Sequence, residues 1–281
     1  MTTLPFIKMH GIGNDYVYVD AFAHRIGDPA ALARRVSPRR TGVGADGLIL
    51  IAPSSAADCR MEMYNADGSR GEMCGNGIRC VAKFAFERGL SRANPMRIET
   101  DAGVKTLYLE TRGDRVERVT VDMGEPILDG PRIPVAAEGR VVDAPLEVDG
   151  ATYRVTCVSM GNPHCVVFLP DVEALDLEQL GPRFEQHRFF PRRVNTEFVR
   201  VEGPAALTMR VWERGSGETA ACGTGACAAL VAAVLTGRAE RAATLHLRGG
   251  DLAVEWREAD GRVYMTGAAE EVFRGEIEVE P

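Results

Sequence analysis

The chain has 281 residues, 45% hydrophobic and 26% charged, the balance of a globular protein with one large domain or two of ordinary size. A formal net charge of −7 argues against a nucleic-acid surface, which is usually basic. No run approaches the roughly 18–20 apolar residues of a membrane span, and the opening Met1-Thr2-Thr3-Leu4-Pro5 lacks the pattern of a signal peptide, so no membrane association and a cytoplasmic location are expected.

In chain order, Tyr16-Val17-Tyr18-Val19 and Gly47-Leu48-Ile49-Leu50-Ile51 are β-rich runs that read as strands. A helix is predicted over about 76–88, and Arg115-Val116-Glu117-Arg118-Val119-Thr120-Val121 reads as one of several short strands at hairpin spacing. In the second half, Cys165-Val166-Val167-Phe168 and Asn195-Thr196-Glu197-Phe198-Val199 read as strands, followed by a helix over about 224–236. That helix is apolar nearly all round, as one enclosed by sheet would be. Glu276-Ile277-Glu278-Val279 alternates and could add a strand to either half.

The halves repeat. Met73-Cys74-Gly75-Asn76-Gly77 and Ala221-Cys222-Gly223-Thr224-Gly225 lie 148 positions apart, as do Gly13-Asn14 and Gly161-Asn162. The same offset aligns Met61-Glu62-Met63-Tyr64-Asn65 with Met209-Arg210-Val211-Trp212-Glu213. A period this long is a domain duplication and not a solenoid. The fold expected is α/β (α+β): two homologous domains, roughly 1–122 and 123–265, each a barrel-like mixed sheet around a central helix. The segment 266–281 is assigned to the first domain, and the active site to the cleft between the two.

Seven cysteines without a secretion signal read as reduced thiols and not as a disulfide framework. Cys59, Cys80, Cys157, Cys165 and Cys227 are expected to be packed small hydrophobes. Cys74 and Cys222 differ, because each stands where a turn becomes a helix. The first N–H groups of a helix lack intrahelical partners and favour negative charge, which suits both a thiolate and a substrate carboxylate. A duplicated site of this kind fits inversion of a carbon stereocentre, which needs a base on one face and an acid on the other.

Two motifs mislead. Gly42-Val43-Gly44-Ala45-Asp46-Gly47 has the spacing of a dinucleotide fingerprint but precedes a strand, where the fingerprint follows one and opens a helix. Gly223-Thr224-Gly225-Ala226-Cys227-Ala228 opens a helix but follows a polar segment. No nucleotide cofactor is expected. Pyridoxal phosphate would need a Schiff-base lysine, and Lys8, Lys83 and Lys105, the only lysines, all lie outside the duplicated motifs.

Several motifs together resemble those of the diaminopimelate epimerases: Met9-His10-Gly11-Ile12-Gly13-Asn14-Asp15, Tyr64-Asn65-Ala66-Asp67-Gly68-Ser69 running into Cys74-Gly75-Asn76-Gly77, Ser159-Met160-Gly161-Asn162-Pro163-His164-Cys165, and Glu213-Arg214-Gly215-Ser216-Gly217-Glu218-Thr219 running into Cys222-Gly223-Thr224-Gly225. The resemblance implies interconversion of L,L- and meso-2,6-diaminopimelate in lysine and peptidoglycan precursor synthesis, with no cofactor and no metal. It implies that Cys74 and Cys222 are the catalytic bases, supported by His164 and Glu213. It further implies that Gly75, Asn76, Gly223 and Thr224 cradle the reacting carboxylate, and that Asn14, Asn65, Asn162, Asn195, Glu213 and Arg214 contact substrate. A substrate with two ammonium and two carboxylate groups needs such donors and acceptors when buried. Gly47 departs from the pattern, standing where some family members carry a substrate-contacting glutamine. The resemblance leaves room for a homodimer, although no interface is legible. Two other readings stay open: a related proline or hydroxyproline racemase, and a non-catalytic amino-acid-binding or redox-sensing protein in which Cys74 and Cys222 pair as a disulfide.

Overall fold

A computed structural model describes residues 2–279. It divides into two compact units, one holding the residues up to Val121 with those from Gly267 onward, the other Asp122–Thr266. The first unit begins β1 (Thr2–Gly11), β2 (Asn14–Asp20), α1 (Pro29–Val36), β3 (Gly47–Ala52), β4 (Cys59–Asn65) and β5 (Arg70–Gly71). It continues through α2 (Gly75–Glu87), β6 (Met96–Thr100), β7 (Gly103–Arg112) and β8 (Arg115–Gly124). The second unit runs β9 (Ala144–Val148), β10 (Ala151–Ser159), β11 (Pro163–Phe168), α3 (Leu177–Glu185), β12 (Asn195–Gly203) and β13 (Ala206–Glu213). It ends with β14 (Gly217–Thr219), α4 (Gly223–Leu235), β15 (Ala242–Leu247), β16 (Gly250–Trp256) and β17 (Val263–Gly267). The last strand, β18 (Glu270–Val279), returns to the first unit and pairs antiparallel with β1, Leu4 opposite Ile277.

The pairing order repeats. In the first unit β2 lies antiparallel to β1 and parallel to β3, and β4 is antiparallel to β3 and parallel to β6. In the second, β11 is antiparallel to β10 and parallel to β12, and β13 is antiparallel to β12 and parallel to β15. The register also repeats, Tyr16 facing Gly47 as His164 faces Asn195, both pairs 148 positions apart.

The central helices explain why the strand runs are apolar without alternation. In β3, Leu48 and Leu50 pack with Leu32, Ala33 and Val36 of α1, while Ile49 reaches Gly77 at the start of α2. A strand buried on both faces has no solvent side to mark with polar residues. In α4, Ala226 through Ala233 are all buried, and fully burying a Leu230 or Val231 side chain stabilises by about 1.5–3 kcal/mol each.

The structure adds to the expected helices. Sequence reasoning finds one per half, and α2 and α4 lie within one residue of those spans. Each unit also carries a short outer helix, α1 or α3, capped by Asp28 or Asp176, whose side chain accepts from the N–H three residues on. No helix among the described residues is long and apolar enough to cross a membrane.

Candidate active site

Cys74 is the N-cap of α2, its backbone extended at φ −125° and ψ 118°, and its sulfur accepts the Gly77 N–H at 3.3 Å. Cys222 is the N-cap of α4 at φ −124° and ψ 111°, and accepts the Gly225 N–H at 3.4 Å. A cap residue leaves its helical conformation while its side chain takes one of the unpaired N–H groups. Sulfur therefore stands in each unit at the positive end of a 13-residue helix.

In the first unit the Cys74 thiol donates to Asn14 Oδ1 at 3.0 Å. The Asn14 amide is held from its other side, Nδ2 donating to Asp46 Oδ2 at 2.7 Å, and Asp46 also accepts the Asp15 N–H. Arg39 bridges Asp15 and Asp46, and the buried Lys8 lies 2.6 Å from Asp15. Burial pushes the Asp15 carboxyl up, but hydrogen bonds from Arg39 and Lys8 outweigh it and leave the group below the usual range. Burial and the neighbouring Asp15 charge raise Asp46. Tyr16, beside Cys74 and Asn14, is pushed well above its ordinary value by burial. Asn76 is buried, and its Oδ1 accepts from Arg79. Asn65 Nδ2 donates to Ser69 Oγ at 2.9 Å within the turn after β4.

In the second unit the surroundings are more acidic. Burial first, then the charges of Glu213 and Glu197, push the Cys222 thiol well above its ordinary value. Burial raises Glu213 too, against hydrogen bonds from Thr219 and Cys222. His164 is fully buried, with Nδ1 2.7 Å from Glu197 Oε1 and Nε2 3.0 Å from Asn162 Oδ1. Asn162 Nδ2 donates to Thr224 Oγ1 at 3.3 Å, and that hydroxyl lies 3.5 Å from Cys222 Sγ. Asn195 is buried, its Nδ2 donating to Pro163 O and its Oδ1 accepting the Arg214 N–H at 2.9 Å. It thus holds the segment that presents Arg214, whose Nη1 donates to Arg192 O.

Within the first unit the structure brings Asn14, Gly75 and Asn76 round Cys74, with Asn65 at the end of the neighbouring strand. Within the second it brings Asn162, His164, Glu213, Gly223 and Thr224 round Cys222, with Asn195 and Arg214 alongside. Sequence reasoning missed Asp46, Tyr16, Thr219 and Glu197. Asp46 sits inside the rejected glycine motif, and Glu197 inside a strand run. At Gly47 an added Cβ would stand 2.1 Å from Tyr64 O, so β3 and β4 close on each other where a longer residue would have to part them.

The family model described as diaminopimelate epimerase matches residues 6–128 and 156–272. The chain is 53% identical to a diaminopimelate epimerase of Acetivibrio thermocellus over 98% of each chain. It is 55% identical to one of Moorella thermoacetica, over 97% of this chain and 98% of that one. A solved Bacillus anthracis phenazine biosynthesis protein superposes with a TM-score of 0.69 at 16% identity, covering 99% of this chain and 100% of that one. That distant likeness shows the shared fold alone. With both halves matched by one family model and relatives more than half identical along nearly their whole length, the chain belongs to the diaminopimelate epimerase family.

Proposed function

We infer that this chain is an isomerase that interconverts L,L- and meso-2,6-diaminopimelate, with Cys74 and Cys222 as the two acid–base groups at one α-carbon. The observation that carries this reading is the recurrence of a cysteine N-cap at the same backbone geometry on both central helices. One thiolate takes the α-hydrogen, and the other thiol delivers a proton to the opposite face. The proton gained by one sulfur equals that lost by the other, so each turnover leaves the pair in the opposite state, reset by exchange with solvent.

The α-hydrogen of an amino acid is a very weak acid, so the carbanion must be stabilised. Hydrogen bonds from the N–H groups at Gly75–Asn76 and Gly223–Thr224 to the substrate carboxylate do this, strengthening as negative charge grows. Asn14 favours the thiol form of Cys74 by accepting a hydrogen bond from it. Glu213 lies within hydrogen-bonding reach of Cys222 and can receive the thiol proton, its affinity for it increased by burial. His164 and Asn162 fix the Thr224 end of the second cradle. Arg214 suits the distal carboxylate, and Asn65 and Glu213 suit an ammonium group.

Replacing either thiol tests the assignment. Cys74→Ser and Cys222→Ser keep a capping atom but supply a far weaker acid–base group, and each is expected to reduce epimerisation by at least about 10²-fold. Wild-type turnover in either variant would remove that residue from the mechanism.

A further inference from the structure

Glu197 has no part in the mechanism above, yet it lies at the centre of the second half-site. Its Oε1 stands 2.7 Å from where a Cβ on Gly225 would be, under the first turn of α4, and 2.7 Å from His164 Nδ1. Its Oε2 is buried without a hydrogen-bond partner among the described residues. A buried carboxylate so placed is costly unless another group compensates its charge. The position does not need a charge for packing. Its counterpart 148 residues earlier is Ile49, which supports Gly77 at the start of α2 in the same way. The counterpart of His164 is Tyr16. The second unit has therefore replaced a neutral pair with an acid and a base.

The consequence follows from the hydrogen bonds. His164 Nδ1 faces a carboxylate oxygen and Nε2 faces the amide oxygen of Asn162, so a ring that donates from both nitrogens meets an acceptor at each. A ring with a bare Nε2 would instead attract the Asn162 NH2 group and turn the amide over. The state of the ring thus decides which side of the amide faces Thr224 and Cys222. We propose that Glu197 is a positioning residue that keeps His164 protonated on both ring nitrogens and so fixes Asn162 with its N–H side toward Thr224. This rests on the reading of Cys222 as one of the two acid–base groups.

The charged and titratable groups around the ring are Glu197 on β12, Glu213 at the end of β13 and Cys222 at the start of α4, with Cys165 close to Glu197. Of these, Glu197 is the one that touches a ring nitrogen, at Nδ1.

The test combines nitrogen NMR of histidine-labelled protein with steady-state kinetics, on the wild type and on Glu197→Gln. Wild-type His164 is expected to carry a proton on both ring nitrogens at neutral pH. In Glu197→Gln one nitrogen is expected to lose its proton, with kcat lower by about 10²-fold and KM within about threefold, since the loss falls on the reacting state. A purely structural role for Glu197 would leave ring protonation unchanged. A singly protonated ring in the wild type, or unchanged kcat and protonation in Glu197→Gln, overturns the proposal. Should Glu197→Gln misfold, the paired change His164→Tyr with Glu197→Ile installs the first unit's neutral pair and should fold with the same loss of kcat; wild-type kcat there would refute it. The NMR result stands whether or not Cys222 proves catalytic, so failure of the two-thiol reading is distinguished by Cys222→Ser alone.

Discussion

At Cys222 the thiol shares its surroundings with two carboxylates, while the Cys74 thiol donates to the neutral Asn14 amide. The same cap thus serves two chemical settings. Burial raises the Glu213 carboxyl above its ordinary 4.5, so the folded state binds this proton more tightly than the unfolded chain. That contribution is complete at acid pH and declines as pH rises from about 4.5 through the raised value. Glu213→Gln removes this loss. The variant is expected to melt higher than wild type at pH 8, to converge with it near pH 4, and to lose activity; thermal melts across pH check this. On the other side, Asp46 holds the NH2 of Asn14 so that the amide oxygen faces Cys74. Asp46→Ala frees that amide, and a kcat lower by about tenfold or more is expected from the lost orientation, read by steady-state kinetics. The matched placement of Cys74 and Cys222 at the starts of the two central helices was legible from their repeated setting. The contacts of Asp46 and Glu197 were not, because a carboxylate that meets another side chain leaves no spacing signal along the chain.

The two central helices were legible because their apolar runs are long and begin at glycine-rich turns. The outer pair were not. The first, α1, has eight residues ending in Arg34, Arg35 and Val36, and α3 contains Pro182. Their shared signal was the capping aspartates, Asp28 and Asp176, again 148 positions apart. Asp28→Ala and Asp176→Ala should each lower stability by about 1 kcal/mol, measured by urea denaturation, with little change in turnover. The glycines under the caps separate more sharply. An added Cβ at Gly77 meets Ile49 Cδ1 at 2.8 Å, the movable end of an apolar side chain. At Gly225 it meets a Glu197 oxygen at 2.7 Å that His164 holds in place. Gly225→Ala is therefore expected to cost more than Gly77→Ala, within the roughly 1–3 kcal/mol of an overpacked core, and to slow turnover by disturbing His164. Equal effects in both assays would contradict the rigid placement of Glu197.

At the scale of the whole chain, the second unit is inserted between β8 and β18 of the first. Glu276–Val279 was legible as a strand, and 266–281 was assigned to the first half, although alternation marks a pleat and not its neighbour. In the structure this strand pairs with β1. Deleting residues 268–281 should leave β1 without that neighbour and destabilise the first unit, seen as reduced soluble yield and an earlier melting transition; an unchanged melt would contradict it. The repeated pairing order and the common offset lead us to propose that one ancestral domain was duplicated. Duplication explains how two cysteines came to share one cap geometry, and divergence at Ile49 and Glu197 how they came to differ. The most direct test of the two-thiol account is turnover of L,L-diaminopimelate in deuterated water, followed by mass spectrometry and proton NMR before equilibrium. The account predicts deuterium at one α-carbon of the meso product, while the remaining L,L-substrate stays unlabelled early in the reaction. Product that keeps its original α-hydrogen, or no exchange at all, would contradict it.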